Sequence, residues 1–220
     1  MRISVVSLTA GGSDEIRVCF ELTEGDNVSK ESFIISTLAY TQLEISKGES
    51  CREVYEAVER EAEIYSAFKR GMYILGFGAC SKNLLVSKLC AKGFPADVSR
   101  EAAERIAQRG YIDENENARR EAERCCAKLW GESRIRAKLT ERRYSREAID
   151  QALFFLEDSG VDFDENCKRL IDKRYHVIPS DRSDLQKLIA SVCRQGYTVS
   201  QIKGACARLS AERKLCKIFE

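Results

Sequence analysis

The chain has 220 residues, 44% of them hydrophobic and 32% charged, with only 2 Pro. That balance excludes a disordered chain and suits a folded, helix-rich protein built as one large domain, two small ones or a repeat array. The formal net charge is +1, yet it is unevenly placed: residues 1–66 carry 6 Lys and Arg against 13 acids, and residues 117–146 carry 10 against 4.

The N-terminus, "MRISVVSLTAGGSDE", lacks the long apolar core of a signal peptide, and no stretch approaches a membrane span. The expected compartment is the cytoplasm. "RISVVSL" and "IRVCFEL" read as short strands separated by the turn signal "TAGGSDE", and "SFIIS" as a third. They make a small antiparallel sheet that must lean on a helix. "STLAYTQLEI" offers one before "SKGES" breaks the pattern.

From Ser50 the helical period takes over. Val54, Val58, Tyr65, Phe68 and Met72 make an apolar stripe on a long helix that Gly76 and Gly78 end. Ser50 with Glu53 fits a capping box.

The chain then repeats itself. Aligned on Phe94, Tyr144 and Tyr197, the residues nine before are Leu85, Ile135 and Leu188, and five before are Leu89, Leu139 and Val192. Eight after stand Ala102, Ala152 and Ala205. Nine after come Ala103, Leu153 and Cys206, and twelve after Ile106, Leu156 and Leu209. These spacings predict a helix, a tight turn at the aromatic, and a second helix, with a further helix ahead of each pair. At "RGYIDENEN" and "EDSGVDFDEN" a Gly followed by an Asp marks a helix stop and the next cap. "YHVIPSDRSD" reads as a loop.

The fold class is therefore mainly α: an elongated array of three tandem three-helix repeats preceded by a small antiparallel β region. The expected divisions are a β-rich region 1–48 and repeats at 49–110, 111–158 and 159–220.

Ten cysteines include no CxxC pair, and His176 is the single histidine. The thiols read as small buried hydrophobes, not as a metal site. The vicinal Cys125 and Cys126 point about 100° apart, one inward and one outward. No nucleophile partners His176, and neither a phosphate loop nor a dinucleotide fingerprint occurs. "GMYILGFG" reads as punctuation after a helix. The sequence points to a binding protein with no cofactor and no catalytic residues.

The best binding surface is the basic run. Arg120, Arg124 and Lys128 recur every four residues on one face of the second repeat's first helix, with Arg119 beside them. Arg134, Lys138 and Arg142 form a second ridge, and Arg136 and Arg143 lie elsewhere on that helix. Such guanidinium groups suit phosphates or the carboxylates of an acidic protein. Trp130 is expected to end the first helix, either as a wedge between helices or as a stacking anchor.

In order, "ISKGES", "SAFKRGMYILGFGACSKNLLVSKLCAKGF", "RGYIDENENARREAER" and "WGESRIRAKLTERRYSREAIDQAL" resemble the bacterial regulatory protein RecX family. The turn Gly110-Tyr111-Ile112-Asp113-Glu114 with Ala118 matches that family's pattern, as do Gly131, Arg134, Ile135 and Leu139. Two departures stand out. The family's Ser-x-x-Glu-Leu reads Ser81-Lys82-Asn83-Leu84-Leu85, and Arg143 occupies a position that is glycine in the other two repeats. The resemblance implies a modulator that binds filaments of RecA recombinase on single-stranded DNA and lowers ATP hydrolysis and strand exchange. Single-stranded or duplex DNA is the expected secondary partner, and the chain is expected to be a monomer that meets no membrane. A stand-alone helix-turn-helix-like DNA binder is the alternative; the three second helices differ widely in charge, which suits one extended uneven surface better than groove reading.

Overall fold

The computed structural model describes the backbone of residues 2–216 and the side chains through residue 213. The last four residues of the expected third repeat and the Cys216 side chain lie outside the described residues. Strands β1 (Arg2–Ala10), β2 (Glu15–Glu24) and β3 (Asn27–Ser36) form an antiparallel meander. A short β4 (Gly48–Ser50), not expected from the sequence, pairs with the free edge of β1, so the order is β3-β2-β1-β4.

β3 begins at Asn27, five residues before the apolar "SFIIS". Its exposed first residues pair through their backbone with β2, from Glu24↔Asn27 onward, which requires no apolar side chain. Gly25, at φ 61°, makes the two-residue turn possible. The predicted capping box does not form. Ser50 closes β4 opposite Ile3, and the N-cap position falls to Cys51, whose side chain makes no capping hydrogen bond.

Helix α1 (Thr37–Gln42) is capped by Ser36 and is shorter than predicted. Helix α2 (Arg52–Leu75) serves two cores. Its first half sets Val54, Tyr55 and Val58 against Ile3, Val5, Val18, Phe20 and Ile35 of the sheet. There the rings of Phe20, Phe33 and Tyr55 meet edge to face at 5.1–6.1 Å. The second half sets Ile64, Ala67, Phe68 and Met72 against α3 (Lys82–Cys90) and α4 (Ala96–Gln108). Arg105 clamps Glu61 with two hydrogen bonds of 2.7 and 2.8 Å across this pair.

The backbone divides into two compact units, residues 1–112 and 113–220. The second holds α5 (Glu114–Cys126), α6 (Glu132–Glu141), α7 (Arg146–Asp158), α8 (Phe163–Arg174), α9 (Arg182–Cys193) and α10 (Val199–Cys216). Helices α5–α7 enclose one apolar cluster and α8–α10 another. Residues 175–181, with Pro179, form a loop that Arg213 of α10 grips through the carbonyls of Tyr175 and His176.

Every residue in the five aligned positions, from Leu85, Ile135 and Leu188 to Ile106, Leu156 and Leu209, is buried. At the turn before the aromatic the backbone is left-handed in all three places: Gly93 at φ 96°, Arg143 at 59° and Gly196 at 97°. The loop glycines Gly110 and Gly160 are also left-handed, and Asp113 and Asp162 cap the helices that follow.

Candidate partner-binding face

Asp113 starts α5 by accepting the Glu116 N–H at 2.9 Å. The four-residue spacing then puts Arg120 and Arg124 on one face, their side chains 66% and 68% exposed. Lys128 does not continue this ridge. The helix ends at Cys126, and the amides of Lys128 and Leu129 turn back onto the carbonyls of Cys125 and Cys126. Leu129 takes φ 58° and reaches the α8–α10 core. Lys128 is exposed beyond the helix end, with Nζ 5.7 Å from the Trp130 ring centroid. Trp130 therefore lies four residues past the last helical residue, half-buried against the α5–α7 core.

Acids offset much of the basic run. Glu116 receives both Arg119 and Arg120 at 2.7 Å, and these hydrogen bonds, Arg119 first, hold its carboxyl below the usual range. Arg119 also lies over the Phe155 ring at 4.6 Å, so it faces inward. Arg124 pairs with Glu121 at 2.6 Å. On α6, Arg136 bonds Asp150 at 2.5 Å and stands 3.5 Å from Glu132. Lys138, 2.9 Å from Glu141, is three-quarters covered.

Arg134 is engaged within the fold. Its guanidinium stacks on Trp130 at 3.8 Å and donates to Gln195 Oε1. Beside it the Gly131 amide donates to the Gln195 carbonyl at 2.8 Å, and the Tyr197 hydroxyl donates to the Leu129 carbonyl at 3.0 Å. These contacts tie the start of α6 to the α9–α10 turn. Arg142, the C-cap residue, and Arg143 are exposed at the far end of α6.

The structure thus brings Arg120 and Arg124 together on an open face, sets Lys128 beyond the end of their helix, and turns Arg119, Arg134 and Lys138 toward the fold. Glu116 and Asp150 lie just outside the span whose surplus marked the site. The signal that finds Glu116 is its position three and four residues before Arg119 and Arg120; Glu121 stands three before Arg124. Exposed ion pairs of this kind stabilise a fold by only about 0–1 kcal/mol. Arg120 and Arg124 can therefore exchange their helix carboxylates for a partner's phosphates or carboxylates at little cost.

Among the described residues, no group of three or more His, Cys, Asp or Glu is placed to hold a metal ion, and no helix is long and apolar enough to cross a membrane. Among the described cysteines, Cys125 is buried and Cys126 half-buried.

No protein-family model matches the chain. Relatives do. It is 31% identical over 122 residues to Regulatory protein RecX of Vibrio cholerae serotype O1 (strain M66-2), which covers 55% of this chain and 78% of the relative. It is 29% identical over 126 residues to Regulatory protein RecX of Xanthomonas citri, covering 57% and 76%. A solved structure described as regulatory protein RecX superposes with a TM-score of 0.69 at 18% identity, over 92% of this chain and 99% of that one. RecX from Lactobacillus salivarius gives 0.57 at 17% identity, over 68% and 97%. Sequence likeness thus spans over half of the chain, fold likeness nearly all of it, and the chain belongs to the RecX family.

Proposed function

We propose that this chain regulates RecA recombinase, binding its filament on single-stranded DNA and lowering ATP hydrolysis and strand exchange. The observation that carries this reading is its 31% identity, over most of the relative's length, to a protein named Regulatory protein RecX. In this reading it acts by binding and not by catalysis, as a cytoplasmic monomer without cofactor. The helix sets after the β-rich region 1–48 are tandem three-helix repeats, at 49–110, 111–158 and 159–220. The matched buried positions and left-handed turns described above support that division. Arg120, Arg124 and Lys128 make the principal contact with phosphates or acidic side chains, with Arg142 and Arg143 as a secondary one.

The test is single-stranded-DNA-dependent ATP hydrolysis by the recombinase with this protein titrated below one copy per recombinase. A variant carrying Arg120→Glu, Arg124→Glu and Lys128→Glu runs in parallel. Suppression by the wild type and its loss in the variant would support both the function and the face. Unchanged turnover, with tight binding of duplex DNA by the protein alone, would overturn the reading in favour of a stand-alone DNA binder.

A further inference from the structure

The stretch Gly76-Phe77-Gly78 follows α2 as more than a helix stop. Phe77 is 77% exposed and Tyr73, one turn earlier on α2, is 57% exposed. Their rings meet edge to face with centroids 4.9 Å apart, and the Arg70 guanidinium lies 5.0 Å from the Tyr73 centroid. The order along the helix is thus cation, ring, ring, with Phe77 outermost. Glycines on both sides leave no neighbouring side chain to shield it. Gly78, at φ 148°, would place even a Cβ in open space. Phe77 is the most exposed aromatic side chain among the described residues, and it is paired with a second exposed ring instead of standing alone.

Charge narrows the occupant. Residues 67–112 carry eight Lys and Arg against three acids; Lys69, Lys82 and Arg105 are engaged by Glu15, Glu104 and Glu61, and the segment stays net positive. Lys88, Lys92 and Arg100 of this stretch are exposed. A flat, accessible ring beside a guanidinium in a cationic segment fits a chain that offers planar π-faces and anions together. We infer that Phe77, braced by Tyr73 and Arg70, is a stacking platform for a base of single-stranded nucleic acid, with Arg70 meeting the neighbouring phosphate. Stacking of this kind tolerates any base, whereas phosphate contact alone carries no requirement for a base at all. The platform belongs to the first compact unit and the Arg120–Arg124 face to the second; it supplies a single-strand contact that the proposed function leaves without a location.

The test is equilibrium binding of the full chain to fluorescein-labelled oligothymidylate and to an abasic strand of equal length, followed by anisotropy at low salt. Phe77→Ala should weaken oligothymidylate binding roughly 5- to 150-fold, the range for one stacked base, and leave abasic binding unchanged. Phe77→Trp should restore it; Phe77→Leu, apolar but without a π-face, should not. Because residue 77 is exposed, circular dichroism melts should match the wild type. Equal oligothymidylate binding by wild type and Phe77→Ala would overturn the platform, as would equal wild-type affinity for the two strands. Loss of recombinase suppression in Phe77→Ala with oligonucleotide binding intact would also overturn it and assign the patch to a protein partner. Should the wild type leave recombinase turnover untouched while base-dependent binding still requires Phe77, the platform stands and only the regulatory reading fails.

Discussion

Gly131 and Gly196 meet backbone to backbone: a Cβ built on Gly131 would stand 2.4 Å from the Gly196 carbonyl oxygen, and one on Gly196 would stand 2.5 Å from the Arg134 amide nitrogen. No side chain can retreat from that contact, because both partners are main chain. The α6 start and the α9–α10 turn are therefore held at a separation that only glycine permits.

Gly131→Ala should accordingly destabilise the protein by about 1–3 kcal/mol, the range for overpacking. Gly204 is the internal control. It sits exposed in α10 with nothing within 4 Å of its would-be Cβ, so Gly204→Ala should stabilise by about 0.5–1 kcal/mol through helix propensity. Urea melts of the two variants should shift in opposite directions.

Arg143 holds the left-handed conformation that Gly93 and Gly196 supply in the equivalent turns. Arg143→Gly should raise stability by roughly 0.5–1 kcal/mol by relieving the contact between Cβ and backbone. Arg143→Ala keeps the Cβ and loses the side chain, so it should show no such gain. Chemical denaturation of the three proteins side by side checks this.

Thiol reactivity should sort by burial. Cys51 is exposed, while burial pushes the Cys167 thiol up to about 12 and also raises those of Cys125 and Cys206. At pH 8, iodoacetamide followed by peptide mapping should find Cys51 alkylated in the native protein and Cys167 only after unfolding in guanidinium.

Tyr55 should make the protein sensitive to alkali. Burial, and then its hydrogen bond to Glu31, push the phenol up to about 12 from an ordinary value of 10.0. A group raised on folding contributes stability that is fully present below the unfolded value and is lost as pH rises through the folded one. The window is pH 10 to 12. Wild-type Tm should fall across it more steeply than that of Tyr55→Phe, which has nothing to ionise at that position.

What the sequence made legible was packing. Aliphatic residues at helical spacing, such as Leu85 and Leu89 or Ile135 and Leu139, are all buried, because burial alone dictates that pattern. Family membership was legible too, in the order of short turns and helix starts. Backbone pairing was not: β4 and the first half of β3 are held by main-chain hydrogen bonds that leave little trace in side-chain type. The basic face was legible as charge but not as geometry. A sum over residues 117–146 stops one residue short of Glu116 and four short of Asp150, and it sees neither the turn that carries Lys128 off α5 nor Gln195, sixty-one residues away from Arg134. The contact of Gly131 with Gly196 joins distant turns and had no local signature.

Helix α2 fixes something that neither of its two cores fixes alone. One residue inserted between Val58 and Ile64 would rotate everything after it by about 100° relative to everything before. The sheet would keep Val54 and Val58, or the helical core would keep Ile64 and Ala67, but not both. Single substitutions along α2 act on one core at a time, whereas a change of length acts on both. Descendants of this sequence can therefore vary the chemistry of α2 freely on its outer side while its length stays frozen, and gains or losses of residues must accumulate elsewhere, in loops such as 175–181.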